Sequence, residues 1–237
     1  MSGMMMNVMN NNIVSVAAGA SLVVSSAPVV AQSPFAGGGN SYSFAGTTSS
    51  YVYYQGLSSS VTFGTGDYTI EWWQYDLGSG SFPRIFWYTS TAGSNSPSIG
   101  MSQEGSTSSR ACYLWSPGAS NLASTAIATN TWFHFAIVRI SGRVYLYKNG
   151  TLLNSGGTVN TSNHTDTTSK WYFGSKAAGG LSSEQFYGYM TNFRVCKGVG
   201  VYTGNFTVPT SALQLTQDAG TNISAITAGQ CSFLLQP

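Results

Sequence analysis

The stretch Asn130–Gly150 reads NTWFHFAIVRISGRVYLYKNG. Phe133, Phe135 and Ile137 sit two apart, and so do Trp132, His134, Ala136 and Val138. That period of two predicts a strand carrying large apolar groups on both pleat faces. Ile140-Ser141-Gly142 breaks the run. Val144, Leu146 and Lys148 then alternate with Arg143, Tyr145 and Tyr147 in a second strand, which the Asn149-Gly150 turn signal ends. A hairpin with apolar groups on both sides must be covered on one face and largely covered on the other. It predicts an all-β sandwich.

Composition agrees. Charged residues make up 7% of the 237 positions, against a usual quarter, while aromatics reach 14% and glycines number 28. Low charge with many aromatics, threonines and serines points to β-structure with polar, uncharged surfaces rather than to disorder. Such a surface lacks the like-charge repulsion that keeps copies apart, which suits a protein packed among neighbours. The net charge of +2, from nine scattered Lys and Arg, argues against nucleic acid, since phosphate binding needs clustered cations. Cys112, Cys196 and Cys231 form no Cys-x-x-Cys pair. They read as small buried hydrophobes, with a Cys196–Cys231 disulfide as the alternative if the two are neighbours in space.

No charged residue precedes Asp67. Three readings compete for the apolar run from Ile13 to Ala31. A signal peptide would start with basic residues, which are missing, although Val29-Val30-Ala31 resembles a cleavage site. A membrane span needs about 20 mainly apolar residues, and this run is interrupted by four serines, a glycine and Pro28. The favoured reading is an extended assembly arm, residues 1–40, that docks on another subunit through Ile13, Val14, Val16, Leu22, Val23, Val24, Val29 and Val30, with strand addition as the means. Gly37-Gly38-Gly39-Asn40 reads as its joint to a domain over 41–237.

From Ser41 onward, expected strands cover 41–44, 52–54, 68–75, 84–88, 98–101, 111–115, 170–174, 185–195 and 231–235 besides the hairpin. Glycine-rich turns such as Gly64-Thr65-Gly66-Asp67 separate them. Short strands at this spacing give two packed antiparallel sheets.

Particular residues resemble a known family. Phe44-Ala45-Gly46, Gly66 to Trp73 (GDYTIEWW), Asn130 to Arg139 and Leu146 to Gly150 fall in the order seen in laminin G-like domains of the concanavalin A-like lectin/glucanase superfamily. Gly188 to Val195 (GYMTNFRV) is similar to that family's late strand. Lys197 to Thr210 resembles the ending common in copies from phage and large-virus structural proteins. The resemblance spans about Ser41 to Leu235. It implies a jelly roll with one concave sheet and a role in binding glycans or proteins, not catalysis. Calcium is common among such relatives, and Asp76 and Asp166 are the loop acids with polar neighbours; no cofactor is otherwise implied.

Glycan-cleaving relatives carry closely spaced carboxylates, because retaining chemistry needs two about 5–5.5 Å apart. None of the seven acids here lies two residues from another. Glu71 stands beside Trp73 and Tyr75 and reads either as a sugar contact or as a structural partner of Arg139 or Arg194. His134 reads as a hydrogen-bonded sheet histidine and His164 as a solvated loop residue. Sugar rings stack on Trp and Tyr while uncharged polar groups read their hydroxyls. Trp73, Tyr75, Trp87, Tyr145 and Tyr147, with Glu71, are therefore the candidate platform for a glycan or protein partner. The same aromatics also fit a face covered by the arm or by a neighbouring subunit. The expectation is a non-enzymatic virion or appendage structural protein that recognises host glycans or proteins. Alternatives are a secreted or membrane-anchored lectin module and, third, a glycoside hydrolase.

Overall fold

The computed structural model describes residues 5–9, 12–16, 21–23, 27–55, 61–90, 98–116, 119–176 and 184–237, with residues before 27 and residue 55 described as backbone. Among them there is no α-helix, and so no helix long and apolar enough to cross a membrane. In chain order the strands begin with β1 (Met5–Met9), β2 (Asn12–Val16), β3 (Ser21–Val23), β4 (Val29–Val30), β5 (Ser41–Ala45) and β6 (Val52–Gln55). Then come β7 (Tyr68–Asp76), β8 (Arg84–Thr89), β9 (Ile99–Ser106), β10 (Ser109–Trp115), β11 (Ala119–Thr125) and β12 (Trp132–Ile140). The last six are β13 (Arg143–Lys148), β14 (Thr151–Leu152), β15 (Thr158–Val159), β16 (Lys170–Phe173), β17 (Tyr187–Lys197) and β18 (Cys231–Gln236).

They form two antiparallel sheets. The larger runs β1-β2-β18-β17-β7-β12-β13-β14, with β5 also on β17, β4 on β5 and β15 on β13. The smaller runs β11-β10-β9-β8-β16-β6-β3. The expected two-sheet sandwich is present. The Asn130–Gly150 hairpin is β12 and β13, joined at Ser141 (φ 50°) and Gly142 (φ 74°). Positive φ at both central residues gives the turn whose twist matches that of the strands.

Alternation places Phe133, Phe135, Ile137, Val144 and Leu146 in the inter-sheet core, as expected from the hairpin. They meet Phe86, Trp171, Phe173, Phe193 and Phe233 there. Trp72 stacks on Phe135 at 5.5 Å, and its Nε1 donates to Gln74 Oε1 (2.8 Å), so the indole N–H is satisfied inside an apolar layer. Arg139 shares the inward phase and is buried at the rim. Its guanidinium donates to the carbonyls of Gly64, Gly66 and Ser162 and lies over Tyr68 (4.9 Å).

Two further features depart from the sequence reading. The expected docking arm adds its strands to this chain's own sheets: β2 pairs with β18, β3 with β6 and β4 with β5. Ile13, Val14, Val16, Leu22 and Val23 thus sit in intramolecular ladders, Val29 and Val30 are half-buried, and Val24 lies outside the described residues. Unpaired edges of a chain's own sheets offer the same backbone groups a neighbour would, at a far higher local concentration. The second feature is a strap, residues 199–230, folded over the outer face of the larger sheet. Val201, Tyr202, Phe206, Leu213 and Ile226 form a second apolar cluster there with Ala136, Val138 and Tyr147. The strap reaches the Asn149-Gly150 turn between β13 and β14, where Phe206 N–H donates to the Gly150 carbonyl (2.9 Å). Gly150 has φ 76°, and a Cβ on it would stand 2.0 Å from the Phe206 carbonyl oxygen, so both the turn and the docking require glycine.

Candidate functional site

Of the six platform candidates, five lie on the outer face of the larger sheet, and the strap closes much of it. Glu71 is fully buried. Its Oε1 accepts from Arg194 Nε (2.8 Å) and Nη2 (2.6 Å), and its Oε2 accepts from the Tyr202 hydroxyl (2.6 Å) and pairs with His134 Nε2 (3.1 Å). Burial alone would raise the carboxyl pKa. The Arg194 charge and the bonds from His134 and Tyr202 outweigh it and hold the group at about 2. Glu71 and Arg194 are register partners on one face, whereas Arg139 points inward, so alternation selects Arg194 as the partner.

Glu71 is therefore structural and not a sugar contact. Tyr147 is also sealed, its hydroxyl donating to the Tyr202 carbonyl (3.2 Å). Trp73 is buried between Phe35 (5.7 Å) and His134 (5.2 Å). Tyr145 is half-buried and packs against Gly157, where a Cβ would lie 2.8 Å from its ring. Tyr75 stays half-exposed beside Trp132 and Tyr189, each 5.5 Å away. Trp87 is on the other sheet, on the opposite side of the sandwich. The six do not converge.

Aromatic and polar groups do converge around Trp87. Tyr53, Tyr172, Trp87, Gly100 and Trp115 are successive register partners across β6, β16, β8, β9 and β10. All face outward, because Val52, Tyr54, Trp171, Phe173, Phe86, Met101 and Leu114, in the opposite phase, are in the core. Glycine in the middle is a steric requirement. A Cβ on Gly100 would stand 2.4 Å from the Trp87 ring, which lies across it toward Trp115 (5.4 Å). Tyr53 stacks on Tyr172 (5.8 Å), extending the row. Five strands at about 4.8 Å spacing make it roughly 19 Å long.

A charged cluster flanks the row. The Arg84 guanidinium lies 5.2 and 5.5 Å from the Trp87 and Trp115 ring centroids. It pairs with Glu104 (2.9 Å) and Glu184 (2.8 Å), and Lys176 pairs with Glu184 (2.8 Å). Ser102 donates to Glu104 (2.9 Å) and receives the Trp115 indole N–H (2.9 Å). Trp87 is fully buried and forms the floor, while Tyr51, Tyr53, Tyr113 and Trp115 are half-exposed. Sequence reading found Trp87 alone of this set. Joining the others requires knowing that β6, β16, β8, β9 and β10 are neighbours, which no local pattern encodes.

The loop acids form turns. Asp166 accepts from Thr168 N (2.7 Å), Ser169 N (3.2 Å) and the hydroxyls of Ser98, Thr168 and Ser169. Asp76 accepts from Gly78 N (2.7 Å) and Ser79 N (2.8 Å) and pairs with Arg110 (3.2 Å). Among the described residues no three His, Cys, Asp or Glu side chains gather as metal ligands would. His164, expected in solvent, is buried beside a cleft of about 250 Å³ lined also by Ser98, Ser162, Asn163, Thr165 and Asp166. Its Nδ1 meets the Ser98 carbonyl (3.1 Å) and its Nε2 the Ser116 hydroxyl (3.0 Å). The backbone bridge between Gly64 and His164 pulls the loop in, a non-local contact invisible in the sequence.

Comparison with known proteins places the fold. No curated protein sequence matches the chain. Among solved structures, it is similar to a heptameric SAP-like pentraxin from Limulus polyphemus (TM-score 0.52, 17% identity, covering 82% of this chain and 90% of that one). It is also similar to domain 4 of AbnA, an extracellular arabinanase from Geobacillus stearothermophilus solved with arabinotriose (0.50, 15% identity, 73% and 76%). A third likeness is to tailspike protein 2 of the Escherichia coli O157:H7 bacteriophage CAB120 (0.53, 12% identity, 75% and 25%). At these identities the likeness is one of fold. A laminin G family model matches residues 45–199, stopping where the strap begins. With well over half its length covered by that match and with the two-sheet sandwich in place, the chain belongs to the concanavalin A-like lectin/glucanases superfamily.

Proposed function

We propose that this protein is a non-enzymatic carbohydrate-binding module that serves as a structural and recognition component of a virion or appendage. The observation that carries the binding reading is the pair of half-exposed aromatics Tyr53 and Trp115 at the two ends of an outward row whose middle, Tyr172–Trp87–Gly100 with Arg84 beside it, is a buried floor. Aromatic faces take the apolar side of a sugar ring, and charged and hydroxyl groups at their edge take its hydroxyls. A row crossing five strands suits an extended oligosaccharide better than one ring. The charges of Arg84 and Lys176 cancel those of Glu104 and Glu184, so the preferred chain is a neutral one. The same cluster argues against hydrolysis. Glycosidic cleavage places the scissile bond between two carboxylates, and here the Arg84 guanidinium occupies the space between Glu104 and Glu184.

A glycan array followed by calorimetry tests this. Trp115→Ala should weaken binding of the selected oligosaccharide roughly tenfold, about 1.4 kcal/mol, while Tyr75→Ala on the opposite sheet leaves it unchanged. Uniform failure to bind, or equal losses from the two variants, removes the reading. Polysaccharide turnover abolished by Glu104→Gln would overturn the non-enzyme assignment.

The virion half of the proposal rests on the uncharged residues 1–66, on the phage-type ending Lys197–Thr210 and on a fold shared with a phage tailspike. Strand β1 adds to these. Among the described residues its one partner is β2, so it forms a free, uncharged edge of the larger sheet, the kind of template that another copy pairs with. Sedimentation velocity should show self-association of the full chain and a monomer after deletion of residues 1–11, which leaves β2 in place. A monomeric full chain would favour a free lectin module instead.

A further inference from the structure

Cys196 on β17 and Cys231 on β18 are direct register partners. The Lys197 N–H donates to the Gln230 carbonyl (2.7 Å), which makes Lys197/Gln230 the hydrogen-bonded position of the ladder and Cys196/Cys231 the non-hydrogen-bonded one. At such positions the two Cα atoms stand about 4.5 Å apart and the side chains approach each other. Disulfides span Cα separations of roughly 4.4–6.8 Å. Ser232 is the extra residue of the bulge beside the pair, and a bulge increases local twist, which gives the two Cβ directions room to adjust. Both thiols are free and buried, in the apolar cluster under the strap. Cys112 lies in the other sheet, in the inter-sheet core, out of reach of either.

We propose that Cys196 and Cys231 form a disulfide site, closed by a small-molecule disulfide such as oxidised glutathione, which joins β17 to β18 and turns the strap into a covalently closed loop. In the unfolded chain, before either thiol is buried, either can lead, Cys231 for instance. Its thiolate attacks one glutathione sulfur, breaking the glutathione S–S bond and releasing one glutathione thiolate. The Cys196 thiolate then attacks Cys231 Sγ of the mixed disulfide and releases the second glutathione. One S–S bond forms and one breaks, two electrons pass from the protein sulfurs to glutathione, and the two thiol protons end on the released glutathione. The thiols are buried in the finished fold, so the exchange belongs to refolding, before the strap closes over them.

The test is to refold the reduced, denatured full chain in excess oxidised glutathione and count thiols under denaturing conditions. One thiol per chain, Cys112, is expected, with Cys196 and Cys231 peptides joined in the mass spectrum. The oxidised protein should melt roughly 5–10 °C above the reduced one, and Cys196→Ser should abolish that difference. Three free thiols, a bond to Cys112, or the same melting shift in Cys196→Ser would overturn the proposal. None of these outcomes depends on whether the protein binds a glycan.

Discussion

Arg194→Ala is expected to lower the unfolding free energy by about 3–5 kcal/mol, the range for removing one partner of a buried ion pair. The cost comes less from the lost attraction than from what stays behind. Glu71 has no solvent exposure, and without the guanidinium it keeps only the Tyr202 hydroxyl and the His134 ring as polar partners. Arg194 also holds the strap, donating to the Gln214 carbonyl (2.7 Å) and Gln217 Oε1 (2.8 Å). Truncation thus frees strap and sheet from each other. Urea denaturation measures the loss, with Lys176→Ala as the control, since Glu184 keeps Arg84 when Lys176 is gone. A loss below about 1 kcal/mol for Arg194→Ala, the range of exposed pairs, would mean that the outer-face network is open to water.

Stability is expected to fall in two acid windows of about 3 kcal/mol each. His164 controls the upper one. Burial first, and the nearby Arg139 charge second, push its pKa from 6.5 to about 4, against the bond to the Ser98 carbonyl. Between those values the unfolded chain takes a proton that the folded chain refuses, so stability is lost as pH drops from 6.5 to 4. Glu71 and Asp166 share the lower window. The folded pKa of Glu71, about 2, is below the ordinary 4.5, so its contribution is intact above 4.5 and disappears as pH falls toward 2. Asp166, where burial is outweighed by the bonds from Ser169, Ser98 and Thr168 that lower it from 3.8 to about 2, loses a smaller, half-exposed contribution over the same range. For His164 and Glu71, displacements of this size correspond to about 3 kcal/mol each. Urea titrations at pH 7, 5.5, 4 and 3 resolve the windows. His164→Gln should flatten the upper one and leave the lower. A wild-type profile level from pH 7 to 4.5 would show that His164 takes its proton freely in the folded state.

The hairpin was legible because its information is local. Alternation assigned Phe133, Phe135, Ile137, Val144 and Leu146 to the core, and Asn149-Gly150 announced the turn. Strand β11 was not expected, since ASNLAST offers Leu122 as its one large apolar side chain. The platform failed for a different reason. Alternation says that Trp73 and Trp87 both point away from the core, but not that they do so from opposite sheets. The resemblance at Lys197–Thr210 marked the start of the strap but not its docking on the sheet. Val201, Tyr202, Phe206, Leu213 and Ile226 follow no period, and their anchors are tertiary: Glu71 for Tyr202 and Gly150 for Phe206. The arm's β-propensity at Val23 and Val29-Val30 was visible, while the identity of the edge that receives it was not.

In the larger sheet β18 lies between β17 and β2, so Val14 pairs with Leu235 across almost the whole described chain. Vectorial synthesis makes that a timing constraint. As the polypeptide leaves the ribosome, β2 and the long strand β17 must each keep an edge unpaired until Cys231–Gln236 emerges between them. The sheet closes only after translation of that segment, and until then the nascent protein carries two open edges of the kind that chaperones shield.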